Sequence, residues 1–404
     1  MQGKIKINQL FVDVVFPFYL LLNMFTMTTF CYVPQYGQPP MFAVIVKLLR
    51  YMIYIISLIN VVITHYKHKE IRLALLIFGT FAISLLFNRD TEYFCYILVF
   101  LALLDAPRRK IISKHFWITF IFSLALIIIT QIGIVEDVVT YGTRQRHFLG
   151  FNWVTYPAIL LLFLLLDRAF LNKGKIKVYE AFLFLFAGYW LYSKTDSRFA
   201  FASLIASTIF FLVTKTGKPI HEKKKKKFCV LCAIPFMCFL FSMVVARIYN
   251  PASSIMFQAN TLLSQRLRLM HEAIQIYPIR PIGGQVIKWQ GFNKDSTGFV
   301  GYNYVDNSYI QLLLQYGLFL LLMVLAFYAI GIYRGIRDDK RYVSWILVII
   351  CIYCLLDPFL IRFTFNPFAW LGVEIVKPIS VCSRDNAIMK KMWNGGSINN
   401  EENL

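Results

Sequence analysis

Acidic residues are scarce in this chain. Against 42 Lys and Arg there are 21 Asp and Glu, six histidines, and charged residues make up only 16% of 404 positions. Soluble domains carry roughly 25% charged residues, so a soluble globular chain is excluded. The short catalytic signatures are missing too. The sequence contains no HExxH, DxD, GxxxxGK[ST] or GxSxG, which leaves metal, nucleotide and serine-hydrolase chemistry without support. Neither a metal nor another cofactor is expected. Cysteine is sparse, at eight residues. Cys229/Cys232 and Cys351/Cys354 have CxxC spacing, but both pairs lie in apolar runs with no histidine on a polar loop beside them. They read as inert buried thiols rather than zinc or redox sites.

Apolar residues, by contrast, fill 58% of the sequence, aromatics 17%, and the mean hydropathy is +0.60. Apolar runs near the length needed to cross a bilayer recur throughout, and helices are the element lipid permits. About twelve spans are expected: Leu10–Cys31, Met41–His65, Leu73–Phe87, Tyr93–Leu104, Phe116–Ile134, Trp153–Leu166, Tyr179–Ser193, Phe199–Thr214, Phe228–Ala246, Tyr309–Tyr333, Val343–Ile361 and a weak Phe368–Val381. The first run lacks a small-residue cleavage site and reads as a retained helix.

The net charge of +21 raises nucleic-acid binding, but the charge is cut into short blocks between apolar runs. That is the positive-inside pattern, and it excludes a nucleic-acid partner in favour of the lipid bilayer. Lys4 and Lys6, Arg108 to Lys114, Arg168 to Lys177, Lys223 to Lys227 and Arg334 to Arg341 fall on one side. Both termini are expected in the cytoplasm of a multi-pass protein of the bacterial plasma (inner) membrane. The Lys223–Lys227 run reads as a topological anchor that touches anionic lipid. The chain then divides into helices one to nine (1–246), an extracytoplasmic loop (247–307), helices ten to twelve (308–381) and a polar cytoplasmic tail (382–404).

Basic residues on the outer side are exceptions to this bias. Arg144 and Arg146 precede Gly150-Phe151-Asn152; Arg198 follows Asp196-Ser197 at the start of a helix; Arg266 and Arg268 lie on an amphipathic stretch of the large loop, Leu262–Ile276. Guanidinium groups so placed suit a diphosphate, because the planar fork binds phosphate oxygens and stays charged. The competing reading is snorkelling, or pairing with Asp196, Glu272 or Asp137. Asp306 is the strongest carboxylate. With Asn307 orienting the acceptor it can take a proton from a sugar hydroxyl, or it can simply cap the helix that follows. Asp357, before Pro358 in an apolar run, either faces the cavity or neutralises Arg362. His147 and His271 are lone histidines, and His271 reads as a surface residue.

These features, in this order, resemble the O-antigen ligase/polymerase superfamily of bacterial polysaccharide assembly. Four short motifs carry the resemblance: Arg146-His147-Phe148-Leu149-Gly150-Phe151-Asn152; Ser197-Arg198; Arg266 through Pro278-Ile279-Arg280-Pro281-Ile282-Gly283-Gly284; and Asp306-Asn307-Ser308-Tyr309-Ile310 with Gly317. The resemblance implies an all-α integral membrane protein, GT-C-like, with one large extracytoplasmic loop between helices nine and ten. It implies a metal-independent glycosyltransferase acting on undecaprenyl-diphosphate-linked oligosaccharide, beside a chain-length regulator and a flippase. Ligases of the superfamily usually have His where this chain has Asp306, so the form seen here is more similar to Wzy-type polymerases of O-antigen, capsule or exopolysaccharide. Asp306, Asn307, Arg198 and Arg266 are the implied catalytic set, with Arg144, Arg146, Arg268, Tyr309 and Asp357 on substrate. The alternatives are an O-antigen ligase, a lipid-linked oligosaccharide flippase, for which no internal repeat is evident, and a non-catalytic scaffold.

Overall fold

The computed structural model describes residues 9–32, 38–65, 71–89, 91–103, 106–140, 145–214, 222–291 and 302–369. They form a helical bundle. In chain order the helices are α1 (Phe16–Phe25, entered through a π-turn at Phe11–Val15), α2 (Met41–His65), α3 (Ile71–Asn88), α4 (Thr91–Ala102), α5 (Arg108–Gln131), α6 (Tyr156–Leu171), α7 (Val178–Thr195), α8 (Arg198–Val213), α9 (Glu222–Phe228) and α10 (Ile234–Ile248). A 3-10 turn, Cys229–Ala233, joins the last two. Then come α11 (Ser254–Leu262), α12 (Arg266–Ile276), α13 (Ser308–Tyr316), α14 (Leu318–Arg337) and α15 (Arg341–Tyr353).

Helix stands at every expected span but the last, most of which lies outside the described residues. Among the described residues, four helices are long and apolar enough to cross a membrane: Met41–Ile63, Arg108–Gln131, Lys225–Ile248 and Leu318–Arg337. Phe11–Phe25, Gly79–Asn88, Arg198–Val213 and Arg341–Tyr353 are apolar but shorter. The long helices turn large apolar side chains outward, as α2 does with Leu48, Met52, Ile55, Ile59 and Val62. Water would not tolerate that face; lipid does. α6 is the opposite case, buried from Pro157 through Leu171 at nearly every position. A helix apolar all round sits inside the others, and α6 is the axis on which α5, α7 and α8 pack.

Three expected elements are interrupted, each for a local reason. The expected span Tyr309–Tyr333 is two helices, α13 and α14, broken at Gly317, which has φ 88° and ψ 164°. A side chain there is strained, and a Cβ would meet the backbone nitrogens of Gly283 and Gly284 at 3.1 Å. The Pro278–Gly284 turn docks into the break: Leu318 N donates to Arg280 O at 3.0 Å and Phe319 N to Pro281 O at 2.9 Å. These bonds occupy donors that the new helix start leaves free.

The expected span Val343–Ile361 ends as helix at Tyr353. Pro358 explains the stop, since proline removes a donor and disfavours helical backbone at the residue before it. Residues 354–369 run on as a buried irregular segment. Phe363 packs against Phe16, Tyr19 and Phe100, and buried Asn366 donates to Tyr328 Oη at 2.8 Å and Leu360 O at 2.9 Å. His115 of α5 bonds Asp167 of α6 at 2.6 Å and Thr364 O at 3.1 Å, clamping the segment to the bundle axis. Buried irregular backbone survives because protein groups satisfy its donors and acceptors. Finally, the amphipathic stretch Leu262–Ile276 breaks at Ser264 and Gln265, both at positive φ, 54° and 68°, so that α12 starts at Arg266.

Among the described residues the one sheet is a short antiparallel hairpin that pairs Val139 with His147 and Thr140 with Arg146.

Candidate functional site: a buried arginine between two carboxylates

Four chain segments meet at the end of the bundle that carries residues 249–307. α12 brings Arg266 as its first residue. The extended run before α13 brings Asp306. The irregular run after α15 brings Asp357 and Arg362. The hairpin brings Arg146.

Arg266 lies between the acids. Its Nε donates to Asp306 Oδ2 at 3.2 Å and one Nη to Asp357 Oδ1 at 3.3 Å. The three side chains are 11%, 16% and 8% exposed, in the order Arg266, Asp306, Asp357. The guanidinium also stacks on the Phe199 ring, 4.9 Å from its centroid. Its Nη1 is buried and makes no hydrogen bond among the described residues. An arginine at a helix start opposes the helix dipole, and burial adds a desolvation cost. Both costs are offset only because two carboxylates face the guanidinium.

How Arg266 comes to its position is local. Asn260 is buried; its Oδ1 accepts from Arg268 N at 3.0 Å and its Nδ2 donates to Gln265 Oε1 at 2.7 Å. That bracket holds the strained Ser264–Gln265 turn. Consecutive non-glycine residues at positive φ cost about 1–3 kcal/mol each and persist only where the surroundings over-determine them.

Burial is the largest influence on Asp306 and pushes its carboxyl above the ordinary carboxylate range; Arg266 pulls it down, then Arg362 and Arg146. Burial likewise raises Asp357, which lies beyond the end of α15; Arg266 opposes this and the nearby Asp306 charge adds to it. Two acids that share one arginine in a confined space titrate as a pair. Arg362 acts on both and donates to Tyr304 Oη at 2.9 Å. Arg146 donates from Nε to Thr195 O at 2.7 Å, which anchors it at the end of α7.

Other expected residues take different places. Asn307, not Asp306, is the helix cap. Its Oδ1 accepts from Tyr309 N at 3.0 Å and Ile310 N at 2.9 Å, while Nδ2 donates to Ser242 Oγ and Leu355 O, both at 2.9 Å. Its side chain is committed to structure, and the cap leaves Asp306 to face Arg266. Tyr309 is fully buried and donates its hydroxyl to Cys351 O at 2.7 Å, a tie between α13 and α15. Arg198 pairs with Asp196 at 3.2 Å and is 44% exposed; Arg268 pairs with Glu272 at 3.7 Å, both 47% exposed. His147, rather than an arginine, bonds Asp137, at 2.7 Å. His271 is only partly exposed and bonds Ala246 O at 2.8 Å. Arg144 lies outside the described residues. Arg362 reads in the sequence only as a partner for Asp357, and Tyr304 carries no signal there, because nothing linear links positions 304 and 362 to position 306.

The fold and site define a helical membrane protein with a confined acid–arginine centre. Residues 181–325 match the family model Wzy_C, described as O-antigen ligase. That stretch is similar to an O-antigen ligase domain, which is consistent with the O-antigen ligase/polymerase superfamily. No curated protein and no solved structure matches the chain. The matched stretch holds Arg198, Arg266 and Asp306; Arg146, Asp357 and Arg362 reach the same centre from outside it.

Proposed function

We propose that this chain polymerises undecaprenyl-diphosphate-linked oligosaccharide repeat units into a surface polysaccharide at the outer face of the plasma membrane. The observation that carries the reading is Arg266, buried between Asp306 and Asp357 with Nη1 unpartnered, and with Arg146 and Arg362 close enough to act on Asp306.

In the reaction, a hydroxyl oxygen of one lipid-linked unit forms a bond to the anomeric carbon of the other. The bond from that carbon to the diphosphate oxygen breaks, and its electron pair leaves with undecaprenyl diphosphate. The hydroxyl proton passes to a carboxylate. Asp306 is the residue for that step, since burial raises its carboxyl above the ordinary carboxylate range, which suits a base that must take up a proton. The developing negative charge on the leaving diphosphate is met by Arg266, Arg146 and Arg362. Asp357 holds Arg266 in place when the phosphate competes for it. The donor carries its own leaving group, so no nucleotide is consumed.

Aspartate rather than histidine at position 306 favours polymerisation over transfer of finished glycan to another acceptor. Purified protein supplied with lipid-linked repeat units and no other acceptor tests this. A ladder of longer lipid-linked chains is expected. Ladder-free reactions that yield product only when a different glycan acceptor is added make the protein a ligase, and movement of lipid without new linkages makes it a flippase.

A further inference from the structure

Four aromatic rings run from the acid–arginine centre across the loop. Tyr304, whose hydroxyl accepts from Arg362 at 2.9 Å, lies 5.9 Å from Trp153 and 6.4 Å from Trp289. Trp289 lies 6.0 Å from Tyr277. The planes are inclined, at 42° between Trp153 and Tyr304 and 70° at the other two contacts. All four rings are half-buried: each is supported on one side and reaches solvent on another.

The backbone holds this row rigidly. Asn303 N donates to Gln290 O at 3.1 Å, Gln290 N to Asn303 Oδ1 at 2.6 Å, and Asn303 Nδ2 to Lys288 O at 3.2 Å. Trp289 Nε1 donates to Gln315 Oε1 at 3.0 Å. Lys288 and Gln290 stand exposed on either side of Trp289. Gly291 gives Trp153 its room, since a Cβ there would meet the indole at 2.4 Å.

We infer that Trp153, Tyr304, Trp289 and Tyr277 form a saccharide-binding track that seats the sugar rings of a chain whose reacting end lies at Asp306. Aromatic faces carry negative quadrupole charge, and pyranose rings present a face of weakly positive C–H groups. Exposed polar side chains along the row supply hydrogen bonds to hydroxyls. Lipid fits this surface less well: three of the four rings lie on the polar loop, bordered by Lys288, Gln290 and Asn303. A stack at each ring is tolerant of sugar identity and lets the chain slide by one unit after each transfer. The inference rests on the proposed glycan chemistry, and the track names where that glycan lies.

The test uses the full-length protein in lipid nanodiscs. The probe is a lipid-free oligosaccharide cut from the producing cell's own surface polysaccharide, with binding read by saturation-transfer NMR and titration. Trp153→Leu and Tyr304→Leu are expected to weaken binding about tenfold or more, while Tyr304→Phe, which keeps the ring, stays within about threefold of the original. Gly291→Ala, which displaces the indole without removing it, weakens binding as well. Monodisperse elution and unchanged melting show that each variant is folded, and Trp153→Phe covers a Leu variant that is not. Wild-type protein that binds no oligosaccharide, or ring-deleted variants that bind as well as wild type, would overturn the track. The parallel polymerisation assay keeps the two ideas apart. Ring-independent binding with a normal polymer ladder removes the track alone. Ring-dependent binding without any new glycosidic linkage keeps the track and removes the proposed reaction.

Discussion

Arg266 Nε lies 3.2 Å from Asp306 Oδ2, although forty positions separate them and the cation opens one helix while the acid precedes another. That pair, closed by Asp357 at 3.3 Å from the other side, decides how the site must respond to substitution. Removing the guanidinium leaves two buried carboxylates without a counter-charge, which costs about 3–5 kcal/mol. Arg266→Ala is therefore expected to lower protein yield as well as activity. Arg266→Lys keeps the charge but loses the fork and the stacking on Phe199. It is expected to fold, with melting close to wild type, and to lose about 100-fold or more in transfer rate. Wild-type rates in a folded Arg266→Lys protein sink the role given to the fork.

Asp306 and Asn307 are neighbours in sequence with opposite expected phenotypes. Asp306→Asn keeps the cap and leaves Arg266 its second carboxylate, Asp357, so it should melt lower but still fold, and the folded protein should transfer no sugar. Asn307→Ala removes an N-cap, worth about 1–2 kcal/mol, and strips partners from Ser242 and Leu355. It should melt several degrees lower, with activity falling in proportion to the folded fraction. Thermal unfolding with single-turnover transfer on the same samples separates the two. A cold-stable, fully folded Asn307→Ala protein with no activity returns Asn307 to the chemistry.

The pH dependence follows from the direction of the carboxyl shifts. Burial raises both acids above their ordinary range. A base must be deprotonated to work, so the rate is lost as pH falls through a raised pKa, not through the usual value of about 4. The acid limb of the transfer rate is expected above the pH at which an ordinary carboxylate titrates. Asp357→Asn removes a neighbouring negative charge from Asp306, and its acid limb should lie lower than that of wild type. A wild-type pH–rate profile whose acid limb lies at or below the ordinary carboxylate value of about 4 removes Asp306 as the base.

The bundle was legible because its cause is local: runs of apolar residues at helical length. The Pro-Gly zone and the polar start of α13 were legible for the same reason, since turn chemistry and capping residues act over a few positions. The interruptions were harder. Gly317 sits in an apolar run that reads as one span, and only the docked turn at Arg280–Gly284 shows why the helix parts there. Arg198, Arg266 and Arg268 look alike as outer-side exceptions, yet only Arg266 meets two buried acids. Which cation is buried depends on contacts 40 and 91 positions away. Arg362 could not be chosen in advance, because its partner Tyr304 is 58 positions off.

The fused turn at Gly317 makes its own prediction. Gly284 has φ 67°, and a Cβ there would lie 2.0 Å from Gln315 O, a backbone atom that cannot swing aside. Ser84 and Asn88 of α3 also donate to the Tyr316 and Gln315 carbonyls, each at 3.3 Å. Gly284→Ala is therefore expected to push the turn off the end of α13 and lower the melting temperature. Ser84→Ala, which loses one long hydrogen bond, costs about 1 kcal/mol or less. Equal melting for both variants argues that the turn is not packed on the break.

The clamp at His115 bears on the site from a distance. Asp167 and His115 are both fully buried, and His115 hands its second nitrogen to Thr364 O, two residues after Arg362. Asp167→Ala leaves the histidine without its partner and frees the segment that aims Arg362 and Asp357. The expected result is weaker transfer by about tenfold or more in the protein that still folds, because misplacing a charged group by about 1 Å can cost that much. The arginine set supplies an internal control. If the clamp acts by positioning, adding Asp167→Ala to Arg362→Ala should cost little beyond Arg362→Ala alone, since the group being aimed is already gone. Full multiplication of the two losses means the clamp does not act through Arg362, and a double-mutant cycle on the transfer rate tells these outcomes apart.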